Sequence, residues 1–141
     1  MKKFLICAIF FSLLAFLYAQ DCEVVVEVNG IQAKAGMVYL AVFNGENSYK
    51  NKEVFIARKV DDGATNAKIP LTLPAGDYVL VAFQDLNKNV KLDTNIIGIP
   101  KEPVGISNYT GKGIPGGFNK LKMTVSATTK TIQVNLIAIK S

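Results

Sequence analysis

The chain has 141 residues, a formal net charge of +5, and neither histidine nor tryptophan. The missing imidazole excludes Ser-His and Cys-His nucleophile pairs, His-ligated zinc and imidazole acid–base catalysis. The positive charge sits on scattered lysines and one arginine, Arg58, whereas nucleic-acid surfaces cluster arginine and interleave aromatics, so no nucleic-acid partner is expected.

Met1-Lys2-Lys3 is a positive start, Phe4 to Ala19 is apolar almost throughout, and Gln20-Asp21 restores polarity. This pattern predicts a secretory signal peptide over residues 1–19, with the small Ala19 before the cut and one domain over residues 20–141. The apolar run is short for a bilayer span, which needs about 20 residues. The expectation is therefore an exported protein, periplasmic or extracellular, with no membrane span after cleavage. Gln20-Asp21 before Cys22 depart from the bacterial lipoprotein pattern, which wants a small residue immediately ahead of its cysteine. Cys7 leaves with the signal, so the single remaining thiol, Cys22, has no intramolecular partner. It reads as a small buried core residue, with a bridge between chains as the alternative.

Period-2 alternation recurs through the rest of the chain, and no window carries a helical stripe. In "CEVVVEVNG" Cys22, Val24, Val26 and Val28 share one face, while "MVYLAVFN" (Met37 to Asn44) is apolar on both faces, as a central strand is. "EVFIARKV" runs to a turn signal at Asp61-Asp62-Gly63. "NAKIPLTL" alternates again, and its Pro70, which donates no ladder hydrogen bond, places it at a sheet edge or a bulge. Pro74-Ala75-Gly76 turns into the apolar strand from Tyr78 to Phe83. "KLKMTVS" and "TIQVNLIAI" complete about seven short strands. An all-β fold follows, a single antiparallel β-sandwich with one long Gly/Pro-rich loop. That loop, from about Asp85 to Gly117, is the expected place of a site, because long irregular segments in compact domains are usually functional.

The loop opens with "QDLNKNVKLDTN", in which Asp85, Asn87, Asn89, Lys91 and Asp93 fall at every second position. A loop curling around Ca²⁺ presents alternate residues inward, so these five are the candidate metal ligands, Lys91 through its backbone carbonyl. Two departures weaken the match to an EF-hand-like loop. Position six, normally glycine, is Val90, for which a positive φ is strained, and position twelve, normally glutamate, is Ile96. Asp77, Glu102 or loop carbonyls would have to complete the shell. The alternative is a polar turn in which Asp85 and the asparagines hydrogen-bond their own backbone.

"AGDYVLVAFQDLNKNVKLDTNIIGIPKEPVGISN" resembles the signature of the bacterial proteins grouped as domain of unknown function 2141. The corresponding steps are Ala75-Gly76-Asp77-Tyr78, the Asp85 to Asp93 loop, Gly98-Ile99-Pro100-Lys101-Glu102 and Gly105-Ile106-Ser107-Asn108. "VYLAVFN", the Gly117-Phe118 step and the closing strand also fit. The resemblance implies an exported protein, a transthyretin-like or immunoglobulin-like sandwich and no established activity. The family's usual glycine within the Asp/Asn loop is Val90 here.

Three functions are compatible with these residues. The leading expectation is a non-catalytic exported sandwich binding a protein, glycan or envelope component through its edge strands or the Asp85–Gly117 loop. The second is a calcium-dependent envelope or adhesion module. The third is a carboxylate-based hydrolase using Asp85/Asp93 or Asp93/Glu102, against which stands the lack of any tryptophan sugar platform. Asn108-Tyr109-Thr110 matches the N-glycosylation pattern, a triplet common by chance. Tyr109 and Phe118 read as residues that pin the loop to the core.

Overall fold

Alternating burial builds the first strand, β1 (Asp21–Asn29): Cys22, Val24, Val26 and Val28 are buried, and the residues between them face outward. In the computed structural model, which describes residues 20–60 and 64–138, it is followed by β2 (Met37–Asn44), α1 (Gly45–Asn51), β3 (Ile56–Val60), β4 (Asn66–Pro74) and β5 (Gly76–Asp85). Then come β6 (Val104–Ile106), α2 (Phe118–Leu121), β7 (Met123–Val125) and β8 (Thr131–Asn135). The signal peptide expected over residues 1–19 and the turn at Asp61-Asp62-Gly63 lie outside the described residues.

The strands form two sheets, as the alternation predicts. A three-stranded sheet has the order β4-β1-β8, and a five-stranded sheet runs β3-β2-β5 with β6 and β7 both paired to β5. Pro70 is opposite Val25 on the edge strand β4, where its missing N–H breaks no ladder. β6 covers Val81–Phe83 and β7 covers Gly76–Tyr78, so the two short strands share one border of β5. One pairing departs from the antiparallel expectation: β8 runs parallel to β1. The turn from Ser126 to Lys130 carries the chain from β7 in one sheet to β8 in the other, and that crossing sets the direction of β8.

The main core lies between the sheets and is filled by the inward residues of β1, β2, β4, β5 and β8. Tyr78 is buried within it, its hydroxyl donating to the Pro74 carbonyl at 2.7 Å. Cys22 is also buried there as a free thiol, as its place in the alternation predicts. A second, smaller cluster covers the outer face of β5, where Val79 packs with Phe118 and Leu121 of α2 and with half-buried Tyr49 and Tyr109. The inner face of β5 is therefore dry and its outer face is covered at Val79 and half-covered at Val81 and Phe83, which accounts for its nearly continuous apolar run. Phe43 at the end of β2 meets Tyr49 edge-on, with ring centroids 5.6 Å apart.

The two helices were not legible in the sequence. α1 buries no residue, and α2 has only four residues, two of them buried, so neither carries an amphipathic stripe. "KLKMTVS" is correspondingly a strand only from Met123, because Lys120 and Leu121 close α2. β6 hides in the Gly/Pro-rich segment. Gly105 is required there, since a Cβ would fall 2.5 Å from the Asn135 carbonyl oxygen where β6 passes the end of β8. Paired hydrogen bonds between Val104 and Ile137 join the two sheets at the same place.

β7 is fastened to β5 by Asp77, which accepts from Lys122 Nζ at 2.7 Å and from Thr124 Oγ1 at 2.6 Å. The hydrogen bond from Lys122, then that from Thr124, holds the Asp77 carboxyl below its usual range. A lowered folded-state value contributes stability above the ordinary aspartate pKa of about 4, and this is lost as pH falls through the lowered value. In Lys122→Met, Asp77 is expected to titrate closer to an ordinary aspartate by carboxyl NMR, and the stability gap to the parent chain is expected to close in acid. An unshifted Asp77 titration would show that the pair does not form in solution.

Candidate functional site

Asp85 ends β5 as a fully buried carboxylate, and the loop is wound around it. Its Oδ1 accepts from Asn89 N at 3.1 Å and its Oδ2 from Val90 N at 2.8 Å. Asn87 Oδ1 accepts from Asn89 N at 3.1 Å, and Asn89 Oδ1 from Lys91 N at 2.8 Å. Each alternate side chain thus holds a backbone N–H two to five residues on, the reason Asp and Asn favour such turns. Lys88 and Val90 take positive φ, both 63°. The chain does turn at Val90 as a glycine would, and since Val90 is largely exposed, the strain is confined to its own Cβ and backbone, with no clash against the rest of the fold.

Glu102 closes the other end. It is buried, with Oε1 accepting from Leu86 N at 2.9 Å and Oε2 from Asp93 N at 3.1 Å, so one carboxylate clamps the start and finish of the loop. A smaller turn follows, in which Asn95 Oδ1 accepts from Ile97 N and Ile99 N. Thr94 and Pro100 form an isolated bridge that brings the two arms together.

The predicted ligands Asp85, Asn87, Asn89 and Asp93 are thereby gathered in one coil with Lys91. The curl of the backbone suits a hard cation. The amides are set otherwise: Asn87 and Asn89 both turn their Nδ2 to Asp93 Oδ2, the latter at 2.8 Å, and spend Oδ1 on backbone. Asp77 is too far along β5 to complete a shell and is engaged by Lys122. Among the described residues, no group of three or more Asp, Glu or Cys side chains is placed to hold a metal ion. Of the carboxylate pairs weighed for hydrolysis, Asp85 and Glu102 each commit both oxygens to backbone N–H groups.

Beside this coil lies an apolar crevice of about 610 Å³. Val81 and Ile106 of the five-stranded sheet and Tyr49 of α1 line it, together with residues of two loop arms. Leu92 and Ile97 to Pro100 form one arm, and Gly111 to Pro115 supply the other. Tyr109 spans them, its hydroxyl donating to the Gly113 carbonyl at 2.6 Å. Desolvation pushes the Tyr49 phenol above its ordinary pKa. At the rim Ile97 is 79% and Ile114 94% exposed, and Ile96 beside them is fully exposed. The crevice was not found from the sequence, although aliphatics outside any alternation in a Gly/Pro-rich loop were a usable signal.

A two-sheet β-sandwich carrying one elaborated loop face is the class of protein that these features define. The family model described as an uncharacterized protein conserved in bacteria (DUF2141) matches residues 26–133, and the chain belongs to that family. No curated protein and no solved structure matches it.

A β-branched residue with positive φ is strained by about 1–2 kcal/mol, and glycine returns about 0.5–1 kcal/mol of that as unfolded-chain entropy. Val90→Gly is therefore expected to stabilise the protein by up to about 1 kcal/mol in urea denaturation. A loss of more than that amount would mean that Val90 does not hold this turn.

Proposed function

We propose that the protein is a non-catalytic, exported binding module whose functional face is the segment from Asp85 to Gly117. The carrying observation is the apolar crevice with Ile97 and Ile114 exposed at its rim. Isolated surface aliphatics are ordinary, but aliphatics gathered around a concave apolar site are the usual mark of a binding surface. The buried carboxylates support a non-catalytic reading, since Asp85 and Glu102 are consumed in shaping the loop. Export rests on the basic start and apolar run of residues 1–19. The uncharged dye Nile red is expected to brighten on binding the folded protein. Ile97→Asp combined with Ile114→Asp is expected to weaken that binding about tenfold or more, with an unchanged melting midpoint. No fluorescence gain with the parent chain would refute a ligand-accessible crevice.

A second reading, in which calcium orders the coil, is favoured by one observation: the positive φ at Val90 places the backbone where a glycine would place it. Asp85, Asn87, Asn89 and Asp93 would then supply side-chain oxygens and Lys91 its carbonyl, after the two amides turn over. With only two carboxylates the site would be weak, in the range of roughly 0.1–1 mM seen for extracellular modules. Calcium at about ten times such a dissociation constant is expected to raise the melting midpoint by about 3–6 °C over chelator. Equal midpoints in the two conditions would dispose of this reading.

A further inference from the structure

We infer that the loop face docks on the surface of an anionic lipid bilayer, an inference that rests on the segment from Asp85 to Gly117 being the functional face. Ile96, Ile97 and Ile114 are 106%, 79% and 94% exposed, so three aliphatic side chains project from the arms of one crevice. Interleaved with them are Lys88, Lys91, Lys101 and Lys112, all exposed. Lys101 follows the lining residue Pro100, and Lys112 stands between the lining residues Gly111 and Gly113. Among the described residues none of these four lysines forms an ion pair, so all four ammonium groups are open to an anionic partner.

The acidic residues of the same segment point the other way. Asp85 and Glu102 are buried and hold backbone N–H groups, and half-buried Asp93 accepts from the two asparagine amides. The segment is close to neutral by composition, yet its exposed charge is cationic. Aliphatic tips among unpaired lysines match an interface in which acyl chains take the tips and anionic headgroups meet the ammonium groups.

A protein partner fits less well. Protein interfaces draw their affinity from Trp, Tyr and Arg, and this segment contains no Trp or Arg and only a half-buried Tyr109. A second copy would oppose two cationic faces.

Cosedimentation with vesicles tests the inference. Binding is expected to an equal mixture of phosphatidylglycerol and phosphatidylethanolamine, at least tenfold tighter than to phosphatidylcholine alone, and to weaken with added salt. Lys101→Gln and Lys112→Gln are each expected to weaken it about fivefold. Ile96→Ser with Ile114→Ser is expected to abolish it without moving the melting midpoint, since both side chains lie outside the core. Equal partitioning to the two vesicles, or binding indifferent to either pair of variants, overturns the inference. So does self-association in sedimentation equilibrium that Ile114→Ser removes while vesicles stay unbound. No vesicle binding by a chain that still brightens Nile red overturns the lipid surface but leaves the crevice as a binding site. No dye response removes the crevice itself.

Discussion

Strand β5 is the constraint on which the rest of the molecule depends. It is packed on both faces, fully by the main core on one side and, around Val79, by Phe118 and Leu121 on the other. It also pairs with β2 along one border and with β6 and β7 along the other. A strand so enclosed has no freedom of register, because a one-residue slip would exchange its two apolar faces and break three pairings at once. Its last residue, Asp85, is therefore delivered to a fixed point, and the loop begins from there.

The loop is ordered by two buried carboxylates rather than by packing. Asp85 and Glu102 together accept four backbone N–H groups, and charge-assisted bonds of this kind are worth about 1.5–3 kcal/mol each. That is enough to hold a positive φ at Val90, whose strain is of the order of one such bond. It also explains how a chain with a valine in the glycine position keeps the turn. The same arrangement turns the negative charge of the segment inward and leaves its lysines outside, so the polar coil and the apolar crevice are consequences of one design.

The fold was largely readable because burial on a pleated sheet imprints a period of two. Cys22 to Val28 and Ile69 to Leu73 showed it plainly, and Pro70 marked its own strand as an edge. α1 and α2 left no imprint: the first buries nothing and the second is a single turn. β6 was hidden because Gly105, demanded by the backbone of β8, looked like loop composition. At the site, Asp85, Asn87, Asn89 and Asp93 were legible from their spacing. Glu102 as the clamp on both ends of the coil was not, since it contacts Leu86 and Asp93 only after the arms fold back.

The sequence by itself determined the strand faces, the thiol in the core and the place of the irregular segment, all of which follow from local alternation and turn chemistry. Tertiary structure alone decided three other things: that β8 runs parallel to β1, that Val90 adopts the left-handed turn, and that Ile97 and Ile114 line one crevice from its two arms. The first and third depend on groups far apart in the chain, and the second on a carboxylate five residues away that the sheet holds in place. The strand direction follows from a crossing between sheets, the turn from a carboxylate whose position β5 dictates, and the crevice from two loop arms brought together over Val81.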